Sequence, residues 1–360
     1  MHIRARVLAV ASALIAALFF VAAAGSFAQD KKKDDRKFDK QQQQEIAAAL
    51  QTVDGVAAGQ PAPNDLTLTW QNHSLKARDQ RTFVPFTIAI DKLTTPSVIY
   101  YIRVTSKSAA APAAPAAADA KKDDKAKKEP AKVEYVFEDV RFLDLKAPEA
   151  GQPYRLQRAF SVPGGEYDVS VLVRERSANS KDKKAPPPRT VVAKQAVTVP
   201  NYWNDELATS SVLIASKTEQ LTAALPEAEI SANPYVFGLT RLTPSPDNKF
   251  TKKDELSILF LVYNNGIDKT SNKPNVTVDY NFYTKKDGAE KFFNKTNPQN
   301  FDAQTLPPQF DVNAGHQLVG GLSVPLTSFP EGEYRLEIKV TDKVTGKSKV
   351  ENSTFTVVAG

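Results

Sequence analysis

From Leu66 onward the chain alternates hydrophobic and polar side chains with a period of two, in short runs separated by turn residues. That period predicts strands with one buried face. In the first half the runs are LTLTW (66–70), TFVPFTIAI (82–90), SVIYYIRVT (97–105), VEYVFEDVRFLDL (133–145), YRLQRAFSV (154–162), EYDVSVLVRE (166–175) and TVVAKQAVTV (190–199). The second half repeats the plan with YVFGLTRL (235–242), LSILFLVYN (256–264), NVTVDYNFYT (275–284), EKFFNKT (290–296), HQLVGGLSVPL (316–326), EYRLEIKVTD (333–342) and KVENSTFTVV (349–358). Pro85 inside the second run argues for an edge position or a bulge there.

The halves also match in order. Ser161-Val162-Pro163-Gly164-Gly165-Glu166-Tyr167 corresponds to Ser323-Val324-Pro325 and, after a longer turn, Pro330-Glu331-Gly332-Glu333-Tyr334. Each is preceded by a strand and followed by a strand, a polar turn and a final strand. Seven short strands twice over predict an all-β chain of two tandem immunoglobulin-like, Greek-key sandwiches. Tyr167 and Tyr334 open the sixth strand of each half, where a tyrosine pins a corner through its hydroxyl, and Gly165 and Gly332 supply the turns before them.

The residues before Leu66 read differently. Arg4 and Arg6, the apolar run Val7 to Ala24 and Ser26-Phe27-Ala28 predict a signal peptide over 1–28 with cleavage before Gln29, which would put the chain in the periplasm or outside the cell. An uncleaved anchor is the alternative, since the run lies at the short edge of what spans a bilayer. A basic tail and a short helix or spacer (41–53) follow within 29–61, ended by Gly55, Gly59, Pro61 and Pro63. The remaining borders are a first sandwich at 62–199, a packed connector at 200–232 and a second sandwich at 233–360. The Ala/Pro/Lys stretch 107–131 interrupts the first sandwich as a disordered loop.

Charge changes little in this picture. The net charge of +6 is held in the polar stretches 29–40, 107–132 and 180–189, which carry 17 Lys/Arg against 9 Asp/Glu. With the signal removed, the presumed folded surfaces are mildly acidic, which argues against a nucleic-acid partner. The absence of cysteine excludes disulfides and thiolate chemistry.

Catalytic signals are equally sparse. His73 and His316 are the two histidines outside the signal; both are expected at the surface, in different sandwiches. No HExxH spacing, phosphate cradle or nucleophile elbow occurs. Carboxylate pairs such as Glu138 with Asp139, or Asp342 with Glu351, are not singled out from the other acids. Asp247-Asn248, Asn264-Asn265 with Asp268, and Asp302 are explained as turn residues rather than calcium ligands. No catalytic, metal or cofactor-binding residue is assigned.

Surface aromatics say more. Leu259, Leu261 and Tyr263 form an apolar second face on a strand whose other face fills the core, and Tyr101 and Tyr283 also fall on outer faces. Such faces are either covered, with the 200–232 segment or the neighbouring sandwich favoured, or offered to a partner. Trp70, Tyr202 and Trp203 have the form of sugar- or peptide-stacking residues. Phe292 and Phe293 open an amide- and aromatic-rich stretch running to Phe301 and Phe310, the first choice for a contact surface.

The segments FLVYNNG, VTVDYNFYTKKDG, FFNKTNPQNFDAQTLPPQF and FPEGEYRLEIKVTDKVTGKS, with PGGEYDVSVLVRE and TVPNYWNDELATSSVLIA in the first half and connector, resemble a largely uncharacterised family of exported tandem β-sandwich proteins of Acidobacteria-like soil bacteria. They are similar to the tail modules of von Willebrand A-related and GWxTD-type exported proteins. The resemblance implies a signal peptide and immunoglobulin-like sandwiches and brings no catalytic residues. The expected function is a non-enzymatic structural or interaction module of the cell envelope that binds a protein partner. A carbohydrate-binding protein is the alternative, and a hydrolase a more distant one.

Overall fold

The computed structural model describes residues 38–108, 135–176, 187–230, 232–286 and 288–360. The expected signal peptide, most of the basic tail, and the 107–131 loop beyond Ser108 lie outside the described residues. Among those described, no helix is long and apolar enough to cross a membrane. The fold is all-β, with antiparallel sheets paired as sandwiches.

The chain divides into two compact units, and the division does not follow sequence order. One joins 38–72 to Phe86–Asn201; the other joins His73–Pro85 to Tyr202–Gly360.

The first unit opens with α1 (Lys40–Ala57). Asp39 and Gln42 form a reciprocal capping box at its start, with the Asp39 carboxylate accepting from the Gln42 N–H at 2.8 Å. The helix passes Gly55 and ends where Gly59 takes a φ of +94°. It is longer than the sequence suggested because Ile46, Ala49, Leu50, Val53 and Val56 form one stripe that packs on Ile99, Tyr101, Leu172 and Val192. The strands that follow are β1 (Thr67–Asn72), β2 (Leu75–Lys76), β3 (Thr82–Asp91), β4 (Ser97–Ser106), β5 (Phe137–Asp144), β6 (Tyr154–Val162), β7 (Gly165–Glu175) and β8 (Thr190–Val199). One sheet runs β5-β4-β7-β8; in the other β3 pairs with β1 and β6. Inward side chains such as Val98, Tyr100, Ile102, Val169, Val171 and Val173 fill the space between them.

Pro85 does not mark an edge, because β3 is paired on both sides. The hairpin β1–β2/β3 keeps one register from Thr67↔Asp91 to Lys76↔Thr82. Pro85 has no N–H to offer, so the ladder breaks only at 73–74, where the His73 N–H still reaches the Pro85 carbonyl at 2.9 Å. The base of this hairpin belongs to the first unit and its tip to the second.

The second unit adds β9 (Ala208–Thr209), β10 (Leu213–Gln220), β11 (Val236–Phe237), β12 (Thr240–Pro244), β13 (Lys249–Thr251), β14 (Glu255–Tyr263), β15 (Val276–Lys286), β16 (Ala289–Lys295), β17 (Gln299–Phe301), β18 (Leu318–Pro325), β19 (Gly332–Asp342) and β20 (Ser348–Val358). One sheet is ordered β11-β12-β10-β14-β18 and the other β13-β20-β19-β15-β16. The set β16-β15-β19-β20 repeats β5-β4-β7-β8, and β10-β14-β18 repeats β1-β3-β6. Thus β10, from the segment expected to be a connector, is itself a strand of the sheet.

Both corner tyrosines make the same bond. The Tyr167 hydroxyl donates to the Pro163 carbonyl at 2.9 Å, and the Tyr334 hydroxyl to the Pro330 carbonyl at 2.7 Å. Gly332 enters its strand at φ +147°, a conformation that side chains resist. Gly165 enters its own at +158°, closer to ordinary extended backbone.

Candidate interaction surface

The aromatics singled out in the sequence separate into a buried group and an exposed one. Leu261, Tyr263 and Tyr202 are buried, each 4% exposed, and Leu259 packs against them. They are therefore corrected from interaction surface to interior. What covers them is the hairpin tip, through Leu75 and Phe83, with Tyr235, Phe237 and Leu242. The tip is tied down by polar bonds as well. Its Lys76 N–H donates to the Tyr263 hydroxyl at 3.1 Å, and Lys76 Nζ donates to Asn264 Oδ1 at 2.7 Å.

His73 belongs to this interior and is not a surface residue. It is 7% exposed, its ring meets Tyr235 edge-on, and its Nδ1 shares a 3.0 Å hydrogen bond with the Tyr235 hydroxyl. Burial pushes its pKa down to about 4, so it is neutral at pH 7. His316 lies in the same unit, half-buried, where its Nδ1 accepts from the Asp311 N–H at 2.9 Å.

The carboxylates have local tasks too. Asp342 is wholly buried and accepts from the Gly266 N–H at 2.7 Å and the Thr345 hydroxyl at 2.6 Å, which locks two loops together. Glu351 accepts from Thr209 at 3.2 Å. Glu138 and Asp139, adjacent on β5, point to opposite faces of their sheet. Among the described residues no cluster of three or more His, Cys, Asp or Glu could hold a metal ion.

The exposed group sits on the outer face of β16-β15-β19-β20. Phe292 stands 52% exposed and directly opposite Tyr283, which it meets edge-on at 5.8 Å. A β-bulge at this point turns the next residue, Phe293, the other way, into contact with Phe329 and Tyr334. Phe301 and Phe310 are also core residues, so the amide-rich stretch contributes Phe292 to the surface and most of its other aromatics to the interior.

Arg335, across from Tyr283 on β19, organises this face. Its guanidinium lies 4.2 Å from the Tyr283 ring centre, its Nε donates to Glu290 at 3.0 Å, and one terminal nitrogen reaches Glu337 at 3.1 Å and Asn352 at 2.6 Å. The cation occupies one face of the tyrosine. Beyond it on the same sheet face Val350 is 44% exposed.

Elsewhere in the unit, Trp203 is 41% exposed, with Lys76 Nζ 4.3 Å from its ring centre. Trp70, in the first unit, stacks on Phe86 at 4.4 Å. Neither position nor partner of Phe292 was readable as a pair with Arg335 from sequence; only the register that sets β15 beside β19 brings them together. No family model matches the chain, and no curated protein matches it.

Proposed function

We propose that this chain is an exported, non-catalytic interaction module of the cell envelope, working in the periplasm or outside the cell. It binds a protein partner through the outer face of β16-β15-β19-β20. The observation that carries this reading is Phe292, half exposed beside Tyr283, with the Arg335 network holding the surrounding polar groups in place. An aromatic anchor rimmed by ordered charges is the usual anatomy of a protein contact. A sugar platform needs a free ring face, whereas Tyr283 has one face under a guanidinium and Phe292 meets it edge-on at 82°.

A carbohydrate reading is favoured at one place, Trp203, whose indole is partly exposed beside a lysine. Envelope extracts and a polysaccharide panel, each offered to the wild-type protein, to Phe292→Asp and to Trp203→Ala, separate the two. Capture of a protein that Phe292→Asp abolishes and Trp203→Ala leaves intact supports the proposal. Retention on glycans alone, lost with Trp203→Ala, replaces it with the carbohydrate reading. Phe292 is exposed, so its variant should melt as the wild type does.

A further inference from the structure

Two loops of the second unit meet at Gly266. It follows β14, a strand of one sheet, and faces the turn that leaves β19 in the other. A Cβ at Gly266 would come within 2.8 Å of Thr345 Cγ2 and 2.9 Å of Val344 Cγ1, so the close approach of the loops demands glycine there. The residue before it is Asn265, and together they make the one Asn-Gly pair in the sequence.

That pair carries its own chemistry. A main-chain nitrogen can attack the side-chain amide carbon of the asparagine before it, and glycine opposes this least, because it has no side chain to restrict the backbone. The attack needs the nitrogen stripped of its proton and turned toward Cγ. Asn265 and Gly266 are both partly exposed, so water reaches them.

In the folded chain the Gly266 N–H is committed elsewhere. It donates to Asp342 Oδ2 at 2.7 Å, and Asp342 is wholly buried. The carboxylate is fixed in turn by the Thr345 hydroxyl at 2.6 Å and the Val344 N–H at 2.9 Å. A bond to a buried carboxylate is among the strong ones; it makes the nitrogen a poorer acid and holds its peptide plane in place. The Asn265 side chain is also held, its Nδ2 donating to the Gly266 carbonyl at 3.1 Å. Tying the loops together accounts for Asp342 alone; the Asn-Gly pair adds a chemical consequence to losing that tie.

We propose that Asn265 is a site of spontaneous deamidation and that Asp342, as a positioning residue, holds the reaction back until these loops open. On opening, the Gly266 nitrogen gives its proton to solvent and bonds to Asn265 Cγ, while Nδ2 departs as ammonia. Water then opens the cyclic imide. Cleavage at Cγ leaves aspartate in an ordinary backbone. Cleavage at the main-chain carbonyl leaves isoaspartate, with one extra methylene in the chain path. Isoaspartate displaces the Gly266 N–H from Asp342, and either product brings a second carboxylate beside it. The step is therefore one-way: a loop that has reacted cannot lock again as before.

Peptide mapping by mass spectrometry of the full-length protein, aged in mildly alkaline buffer with and without urea, tests this. Conversion at Asn265 should be slower in the native protein than in urea by about tenfold or more, and Asp342→Asn should restore much of that rate under native conditions. Tyr334→Phe weakens the same unit away from these loops and should leave the native rate unchanged, which separates a local guard from general destabilisation. Where Asp342→Asn folds poorly, Thr345→Val decides: it keeps the carboxylate but frees it, and should accelerate conversion. Equal rates for wild type with and without urea overturn the proposal. So does a folded Asp342→Asn, or a Thr345→Val, that ages no faster than the wild type.

Discussion

The two sandwiches carry the same four-stranded sheet and finish its outer face in opposite ways. With the corner tyrosines Tyr167 and Tyr334 superposed, the row Tyr101–Leu172–Val192 of the first corresponds to Asp279–Lys339–Val350 of the second. The first row is apolar and sealed by α1. In the second, Lys339 and Val350 are exposed. Two rows further on the contrast fades: Thr105–Asp168–Ala196, with Thr105 and Ala196 exposed, corresponds to Tyr283–Arg335–Thr354, the centre of the candidate surface, and the copies differ there in the aromatic pair rather than in cover. The second sandwich instead covers the outside of its other sheet, using the hairpin tip over Leu261 and Tyr263. A duplicated fold therefore left one face of each copy to be closed from within the chain, and it was not the same face.

Exchanging the residues of one row should break this contrast most sharply. Leu172→Lys places an ammonium under α1, a change expected to cost about 4 kcal/mol or more in chemical unfolding. A cost below about 1 kcal/mol would mean that the helix does not seal that face.

Acid comes next. Free histidine titrates near 6.5 and buried His73 at about 4. The unfolded chain takes up the proton first, so stability should fall as pH drops from about 6.5 toward 4 and level off below, losing about 3 kcal/mol. Following the second unit by NMR across that range checks it; in His73→Gln this part of the slope should vanish.

The corners give a smaller effect. Tyr167→Phe and Tyr334→Phe each remove one hydrogen bond and should cost about 1 kcal/mol. Equal stability of the Tyr and Phe forms would deny the corners a role. Smallest of all, Lys339→Leu, the reverse exchange on the open face, should change stability by no more than about 0.5 kcal/mol.

Much of the fold was legible because period-two alternation survives in the inner strands. The repeat of Gly-Glu-Tyr was enough to align the halves. What escaped had weak local signals. The stripe of α1 is diluted by glutamines and alanines, and its packing surface on Ile99 and Tyr101 lies far along the chain. His73 looked like a turn residue because its burial depends on Tyr235, 162 residues away. Strands as short as β2 and β9, two residues each, have no period to read. The apolar face at Leu259, Leu261 and Tyr263 was visible as a pattern, but its cover came from a hairpin placed in the other half.

The chain has no cysteine, which permits a direct test of the two faces. Single variants Val192→Cys and Val350→Cys occupy equivalent places, 7% and 44% exposed. Under native conditions Val350→Cys should react with a thiol reagent about as fast as in the unfolded chain, while Val192→Cys should react only through opening, slower by orders of magnitude. Equal rates at the two positions would contradict the claim that one face is closed by the chain itself and its counterpart left open to a partner.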